Sequence, residues 1–161
     1  GAVRVIGGEI TERFQTFVKP RHPIPPRIVS LTGITDDTVK DAPQPKEALA
    51  EFKRFCGEDT VLVAHNSDFD TKFVFHKSKE FDITFKNDVV DSLALCRLAF
   101  PKLKNHKLDT VAAHLRIQLD HHRAVNDAVC TANIMCACFK EFRKQGAEDM
   151  QCVNKLFTEH S

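Results

Sequence analysis

The stretch His121-His122-Arg123-Ala124-Val125-Asn126-Asp127 places two imidazoles and a carboxylate at the start of the strongest helical pattern in the chain. Over residues 124–142 the apolar positions Val125, Ala128, Val129, Ala132, Met135, Cys136, Phe139 and Phe142 recur at three- and four-residue steps, the period of a helix that buries one face. Asp127 falls off that face, in the first turn, where its charge suits the helix dipole. Paired with His122, one turn and a little more upstream, it could hold a metal ion and move a proton. The plainer reading of the same residues is a loop histidine and an ordinary acidic helix start. A second acid, Asp70, closes the segment His65-Asn66-Ser67-Asp68-Phe69-Asp70, which directly follows a continuous apolar run.

Those acids need elements to position them. The run 61–64, Val-Leu-Val-Ala, predicts a short buried strand of central-sheet type that delivers Asp70 to its C-terminal end. Phe69 and Phe73 stand four apart on the helix expected next, on one apolar face. Val89-Val90 repeats the design, ending in Asp91 and leading through Leu93, Leu95, Leu98 and Ala99 into a helix that Pro101 stops. Upstream, alternation over 2–6 and 10–18 around Gly7-Gly8 predicts a hairpin. Pro20, Pro23, Pro25 and Pro26 impose an extended stretch, followed by a short helix over 27–31 ended by Gly33 and a second one capped by Thr35. Residues 45–56 form an amphipathic pattern closed by Gly57, residues 105–115 a further helix, and 117–119 a short strand or connector. A hairpin followed by alternating helices and short strands implies a mixed α/β sheet, which binds ligands at strand C-termini.

Composition narrows the class. With 161 residues and 42% hydrophobic content, the chain can bury one sizeable core and is expected to be a single domain over 1–161. A net charge of +1 gives no global attraction for nucleic acid or membrane, so any polyanion site must be local. The basic run Arg97, Lys102, Lys104, His106 and Lys107 could approach phosphates, but it reads more simply as a solvated face. Six cysteines without a Cys-x-x-Cys pair, several of them inside a helical apolar pattern, point to reduced buried thiols and a cytoplasmic compartment. No run reaches the length of a membrane span and no signal peptide is visible, so the chain is expected to be soluble. A zinc hydrolase using His106, His114, His121 and His122 lacks compact ligand spacing.

Four segments together resemble a known family. Leu31-Thr32-Gly33-Ile34-Thr35, then Ala64-His65-Asn66-Ser67-Asp68-Phe69-Asp70, then Asn105-His106-Lys107-Leu108, then His122-Arg123-Ala124-Val125-Asn126-Asp127 look like the ordered signature of the DEDDh 3′–5′ exonucleases. The likeness is greatest to the proofreading exonuclease of bacterial DNA polymerase III, as an epsilon-type subunit or as a domain built into the polymerase. It implies an RNase H-like fold, a central mixed sheet flanked by helices. It also implies two divalent metal ions, Mg²⁺ or Mn²⁺, held in part by Asp70 and Asp127, with His122 as general base; His121 is the competing imidazole, and the family spacing selects His122. Leu31, Gly33 and Ile34 stand where the resemblance places contacts to the terminal nucleotide. Asn66 and Phe69 would shape the strand end and substrate pocket, although turn-forming Asn and core Phe explain them as well.

One departure stands out. The family's first motif, Asp-x-Glu, occurs nowhere in these 161 residues. The expected strand carrying it would precede the 2–6 strand, which makes an N-terminally incomplete domain the first expectation, inactive as printed. Loss of the motif, leaving a non-catalytic module that binds nucleic acid or a polymerase, is the alternative. The expected reaction is hydrolysis of the 3′-terminal phosphodiester of single-stranded or frayed DNA, releasing nucleoside monophosphates, with RNA left open because no residue can be assigned to sensing a 2′-hydroxyl.

Overall fold

A computed structural model describes residues 1–119 and 123–147, the Phe69 side chain apart; His121, His122 and Cys152 therefore lie outside the described residues. The chain opens with an antiparallel hairpin of β1 (Ala2–Ile6) and β2 (Glu9–Phe14). Gly7 and Gly8 both take positive φ, 60° and 87°, which is what a tight two-residue turn matching the strand twist requires. An Arg4–Glu12 ion pair at 2.9 Å bridges residues directly opposite in the register. The second strand stops at Phe14 instead of reaching residue 18, because the chain there leaves its partner and Lys19 N–H bonds the Pro43 carbonyl instead.

Three helices follow: α1 (Pro26–Thr32), α2 (Asp36–Val39) and α3 (Pro45–Cys56). Each has a local cause. Proline opens α1 and α3, where the lost N–H costs nothing. Gly33, at φ 70°, ends α1 by returning its N–H to the Val29 carbonyl at 2.8 Å. Thr35 and Thr38 cap α2 reciprocally, and Gln44 with Glu47 do the same for α3.

The second half holds β3 (Leu62–Ala64), α4 (Ser67–Lys79), β4 (Val89–Asp91), α5 (Ser92–Ala99), α6 (Leu108–Leu115) and α7 (Ala124–Lys144). β3 and β4 run parallel, with Ala64 opposite Asp91. Among the described residues the strands form two separate two-stranded ladders, the antiparallel β1–β2 pair and the parallel β3–β4 pair, and not one continuous central sheet. β3 is accordingly half-buried throughout instead of a buried central strand, and Val61, 56% exposed, stands outside it. Residues 105–107 remain outside α6, and 117–119 form a connector with no strand pairing.

The core is built around α7, which packs against α5 and α6 and also against β1, β2 and β3. With helices and strands both against it, α7 buries more than one face. Its deepest stripe is Cys130, Ile134, Cys138 and Phe142, at four-residue steps, packed with Leu95, Cys96, Ala99, Val111 and Ala112. Of the apolar positions read from the sequence only Ala132 and Phe142 are fully buried, because the deep stripe is partly made of cysteine. Cys56, Cys96, Cys130 and Cys138 are free and buried, Cys136 is free and half-buried, and the Cys96 and Cys138 sulfurs lie 3.8 Å apart. Burial pushes the Cys56 and Cys130 thiols up to about 11, keeping them protonated. Phe73, expected to continue a core face, is instead 63% exposed on α4.

A smaller aromatic group ties the hairpin to the rest: Phe14 packs on Phe52 and Phe55 with centroids 5.6 and 5.3 Å apart, and Phe52 on Phe85 at 5.8 Å. Ile134→Ala should lower stability by about 2–5 kcal/mol, the range for a fully buried aliphatic residue. Phe73→Ala should change it by less than ~0.5 kcal/mol. Guanidinium unfolding of the two variants checks this, and similar losses in both would place Phe73 in the core after all.

Candidate active site

The segment from β3 into α4 makes a sharp elbow. Ala64 ends the strand, Asn66 turns the chain with φ 67° and ψ 56°, and α4 begins at Ser67. Left-handed backbone costs a side-chain-bearing residue ~1–2 kcal/mol, least for Asn and Asp, so Asn66 is suited to this corner. The Asn66 N–H donates to Asp91 Oδ1 at 2.9 Å, and the same oxygen accepts the Leu93 N–H at 2.9 Å to cap α5. Asp70 therefore sits in the first turn of a helix, not at the strand end, where the helix N-terminus favours its negative charge. Asp127 occupies the corresponding first turn of α7.

Both acids lie near the foot of β1. Gly1, at the foot of β1, lies so close to the start of α7 that a Cβ there would fall 2.6 Å from the Ala124 carbonyl carbon. Asp70 and Asp127 both lie within electrostatic reach of the Gly1 backbone nitrogen. Partial desolvation raises the Asp70 carboxyl above its ordinary value, opposed by its own N–H. Asp70 is nonetheless an exposed residue, so solvent screening keeps the energetic weight of that shift small. Asp127 is half-buried, and its Oδ1 is buried without a hydrogen-bond partner among the described residues. Carboxylate oxygens are hard donors, and the otherwise unsatisfied Asp127 Oδ1 is of the kind a hard divalent cation takes. Among the described residues no three His, Cys, Asp or Glu side chains gather as a metal-holding group.

The remaining sequence-derived candidates separate. Leu31, 61% exposed, and Gly33 lie at the end of α1, while Ile34 and Thr32 help line an open apolar groove of about 310 Å³ with Phe17, Val18, Ile24, Ile28 and Val39. Asn66 is at the elbow, and the Phe69 side chain is not described. His106 does not belong to a free basic face: its Nε2 donates to the Phe100 carbonyl at 3.0 Å, and its own carbonyl accepts from His65 Nε2 at 2.8 Å. Sequence spacing gave no sign of that bonding, since one partner is a backbone carbonyl six residues away and the other a ring 41 residues away.

The family model described as Exonuclease, RNase_T, matches residues 1–155. The chain belongs to this exonuclease family. Among curated relatives, the DNA polymerase III PolC-type protein of Caldanaerobacter subterraneus is 41% identical over 99% of this chain, which spans 11% of that protein. Proteins of the same name are 42% identical over 98% of the chain in Clostridium perfringens and 39% over 91% in Bacillus subtilis, with 11% and 10% of their lengths matched. The chain thus spans about a tenth of the curated relatives it matches. A solved structure of exonuclease X in complex with 5′ overhanging duplex DNA superposes with a TM-score of 0.68 at 22% identity, covering 96% of this chain and 87% of that one. The fold of this exonuclease domain is RNase H-like, with its sheet divided as described above.

The electrostatics set an expectation for stability. Leaving a buried carboxylate oxygen unpartnered costs about 1–3 kcal/mol, more than the ~0.3–1 kcal/mol a first-turn acid gains from the helix dipole. Asp127→Ala should therefore fold at least as stably as the parent. For Asp70 the folded value lies above the unfolded one, so its contribution is present below the unfolded value and lost as pH rises through the folded one. Asp70→Asn should then be neutral or mildly stabilising at pH 7. Thermal melts of both variants test this, and a large loss in either would mean its carboxylate is satisfied in the native state.

Proposed function

We propose that this chain is a metal-dependent 3′–5′ exonuclease domain over 1–161 that hydrolyses 3′-terminal phosphodiesters of single-stranded or frayed DNA, as the proofreading domain of a replicative polymerase of the DNA polymerase III type. The observation that carries the reading is the buried, unpartnered Oδ1 of Asp127 in the first turn of α7, with Asp70 in the first turn of α4, in a chain of the exonuclease family. The relatives named PolC-type, matched over nearly all of this chain, support the polymerase context. No helix among the described residues is long and apolar enough to cross a membrane, and the free buried thiols fit a reducing cytoplasm.

In this reading Asp70 and Asp127 hold Mg²⁺ or Mn²⁺, which when bound supplies Lewis-acid stabilisation of charge on the phosphodiester. Each carboxylate projects from the first turn of a helix, and the helices hold the two acids in place before the cation arrives. His122, neutral, accepts the proton of the attacking water. Leu31, Gly33 and Ile34, at or beside the apolar groove, receive the terminal nucleotide, while Asn66 and Phe69 shape the strand end and the substrate pocket.

Degradation of 3′-labelled single-stranded DNA by the full-length protein, with Mg²⁺ or Mn²⁺ against chelator, tests the proposal. Monophosphate release that stops on chelation is expected; binding without cleavage would overturn it. Asp70→Ala and Asp127→Ala should each remove nearly all turnover while the domain stays folded. If both variants still turn over, the acids have been misassigned.

His122→Ala should lower kcat by about 10²–10⁴-fold with little change in DNA affinity. In the parent, kcat should fall as pH drops through the imidazole value near ~6.5, because the protonated ring accepts no proton. A damaging His121→Ala beside a silent His122→Ala would transfer the role to the neighbouring imidazole.

A further inference from the structure

His65 directly follows β3, one residue before the left-handed Asn66, and both of its ring nitrogens are engaged. Its Nε2 lies 2.8 Å from the His106 carbonyl oxygen, and its Nδ1 lies 3.0 Å from Ser92 Oγ. A carbonyl only accepts, so Nε2 carries the proton and donates. In the neutral ring Nδ1 is then an acceptor, and the Ser92 hydroxyl, wholly buried, donates its single proton there. The Ser92 hydroxyl is also 3.3 Å from the Ala64 carbonyl, a longer contact for which the neutral arrangement leaves no proton.

These bonds connect the site to the core. Ser92 is the first residue of α5, and Asp91 before it holds the Asn66 N–H. On the other side of the ring, His106 closes the 100–106 loop on itself through the Phe100 carbonyl. The elbow is thus tied at one end to the N-terminus of α5 and at the other to the loop that leads into α6. Helices α5 and α6 pack on α7 through Leu95, Cys96, Val111 and Ala112 against Cys130, Ile134 and Cys138, and α7 carries Asp127. The path from Asp127 to Asp70 therefore runs through packed core and closes at His65. An apolar side chain at 65 would break that closure and leave the His106 carbonyl without its donor.

We propose that His65 is a positioning residue of the exonuclease site: as the Nε2-protonated tautomer it clasps the elbow between Ser92 and the His106 carbonyl, and so fixes the first turn of α4 and Asp70 relative to Asp127. The inference rests on the proposed function for its catalytic consequence. Its geometric content stands on the hydrogen bonds alone. His65 touches no reacting group and acts through Asn66 and Asp70.

The test compares the parent with His65→Leu and His65→Gln in the full-length protein. Leu removes both hydrogen bonds at similar volume, whereas Gln keeps an amide donor that reaches toward the His106 carbonyl. Outer partners of metal-holding groups typically cost about 10–100-fold in affinity or activity when lost, so His65→Leu should lower kcat on 3′-labelled DNA by that order, with KM nearly unchanged, and weaken Mn²⁺ binding in step. His65→Gln should recover most of both losses, which a merely space-filling role would not allow. Nitrogen-15 spectra of the imidazole should show the Nε2-protonated tautomer at position 65. If His65→Leu does not fold, Ser92→Ala, which removes only the hydroxyl, takes its place for the kinetic and Mn²⁺ measurements. Unchanged kcat and Mn²⁺ affinity in the folded variant, a loss confined to KM, a Gln variant no better than Leu, or an Nδ1-protonated ring would each overturn the inference. A parent that binds Mn²⁺ but degrades no DNA would sink the exonuclease reading instead, and Mn²⁺ affinities across the variants would then decide the role of His65. A parent that binds no Mn²⁺ overturns both.

Discussion

Everything near the two acids depends on the packing of α7 against α5 and α6 through the stripe of Cys130, Ile134, Cys138 and Phe142. Asp70 is partly desolvated and Asp127 Oδ1 is buried without a partner among the described residues, so the arrangement persists only where the rest of the chain outweighs that cost. Burial of this stripe supplies the favourable term, at roughly 1.5–3 kcal/mol for each large apolar side chain removed from water. Asp127 comes with α7 at no further expense of ordering, because its helix is already fixed. Asp70 has to be brought to it along a less direct route: β3 pairs with β4, Asp91 at the end of β4 holds the Asn66 N–H, and α4 starts from that corner.

The same logic explains why the site tolerates two unfavourable features. Asn66 sits in left-handed backbone and Asp127 Oδ1 finds no partner among the described residues, and both lie at the point where chemistry is proposed. Local strain and unsatisfied polar atoms of this kind cluster at functional sites, where the surrounding fold over-determines them. An oxygen lacking a hydrogen bond is a poor contributor to stability and a ready ligand. The raised carboxyl of Asp70 points the same way, since partial desolvation makes the charged form more eager for a cation than it would be in water.

Much of this was legible in the residues because the signals are local. Pro45 to open and Gly57 to close bounded α3 correctly, Gly33 ended α1, the Gly7-Gly8 pair marked the hairpin, and Asp91 closed β4 directly before α5. What escaped was set by tertiary contact. The buried stripe of α7 was read one face away because its cysteines carry little weight in an apolar pattern, and because a helix packed by both helices and strands has no single buried face. Phe73 followed the helical period but found nothing to pack against. The division of the sheet could not be read from strand patterns, which say which segments extend but not which edges meet. The bonding of His65 and His106, named only as motif or surface residues, and of Ser92 escaped for a similar reason: their bonds run to one another and to backbone carbonyls, and no spacing rule encodes that.

The central claim is that Asp70 and Asp127 form a single cation site. It is tested most directly by titrating the isotopically labelled protein with Mn²⁺ and following paramagnetic broadening of backbone amides. If the account holds, the amide signals of Asp70 and Asp127 broaden together, at the same metal concentration, while those around exposed Asp37 and Glu80 persist. Broadening at one acid without the other, or at neither before the surface carboxylates respond, would contradict it.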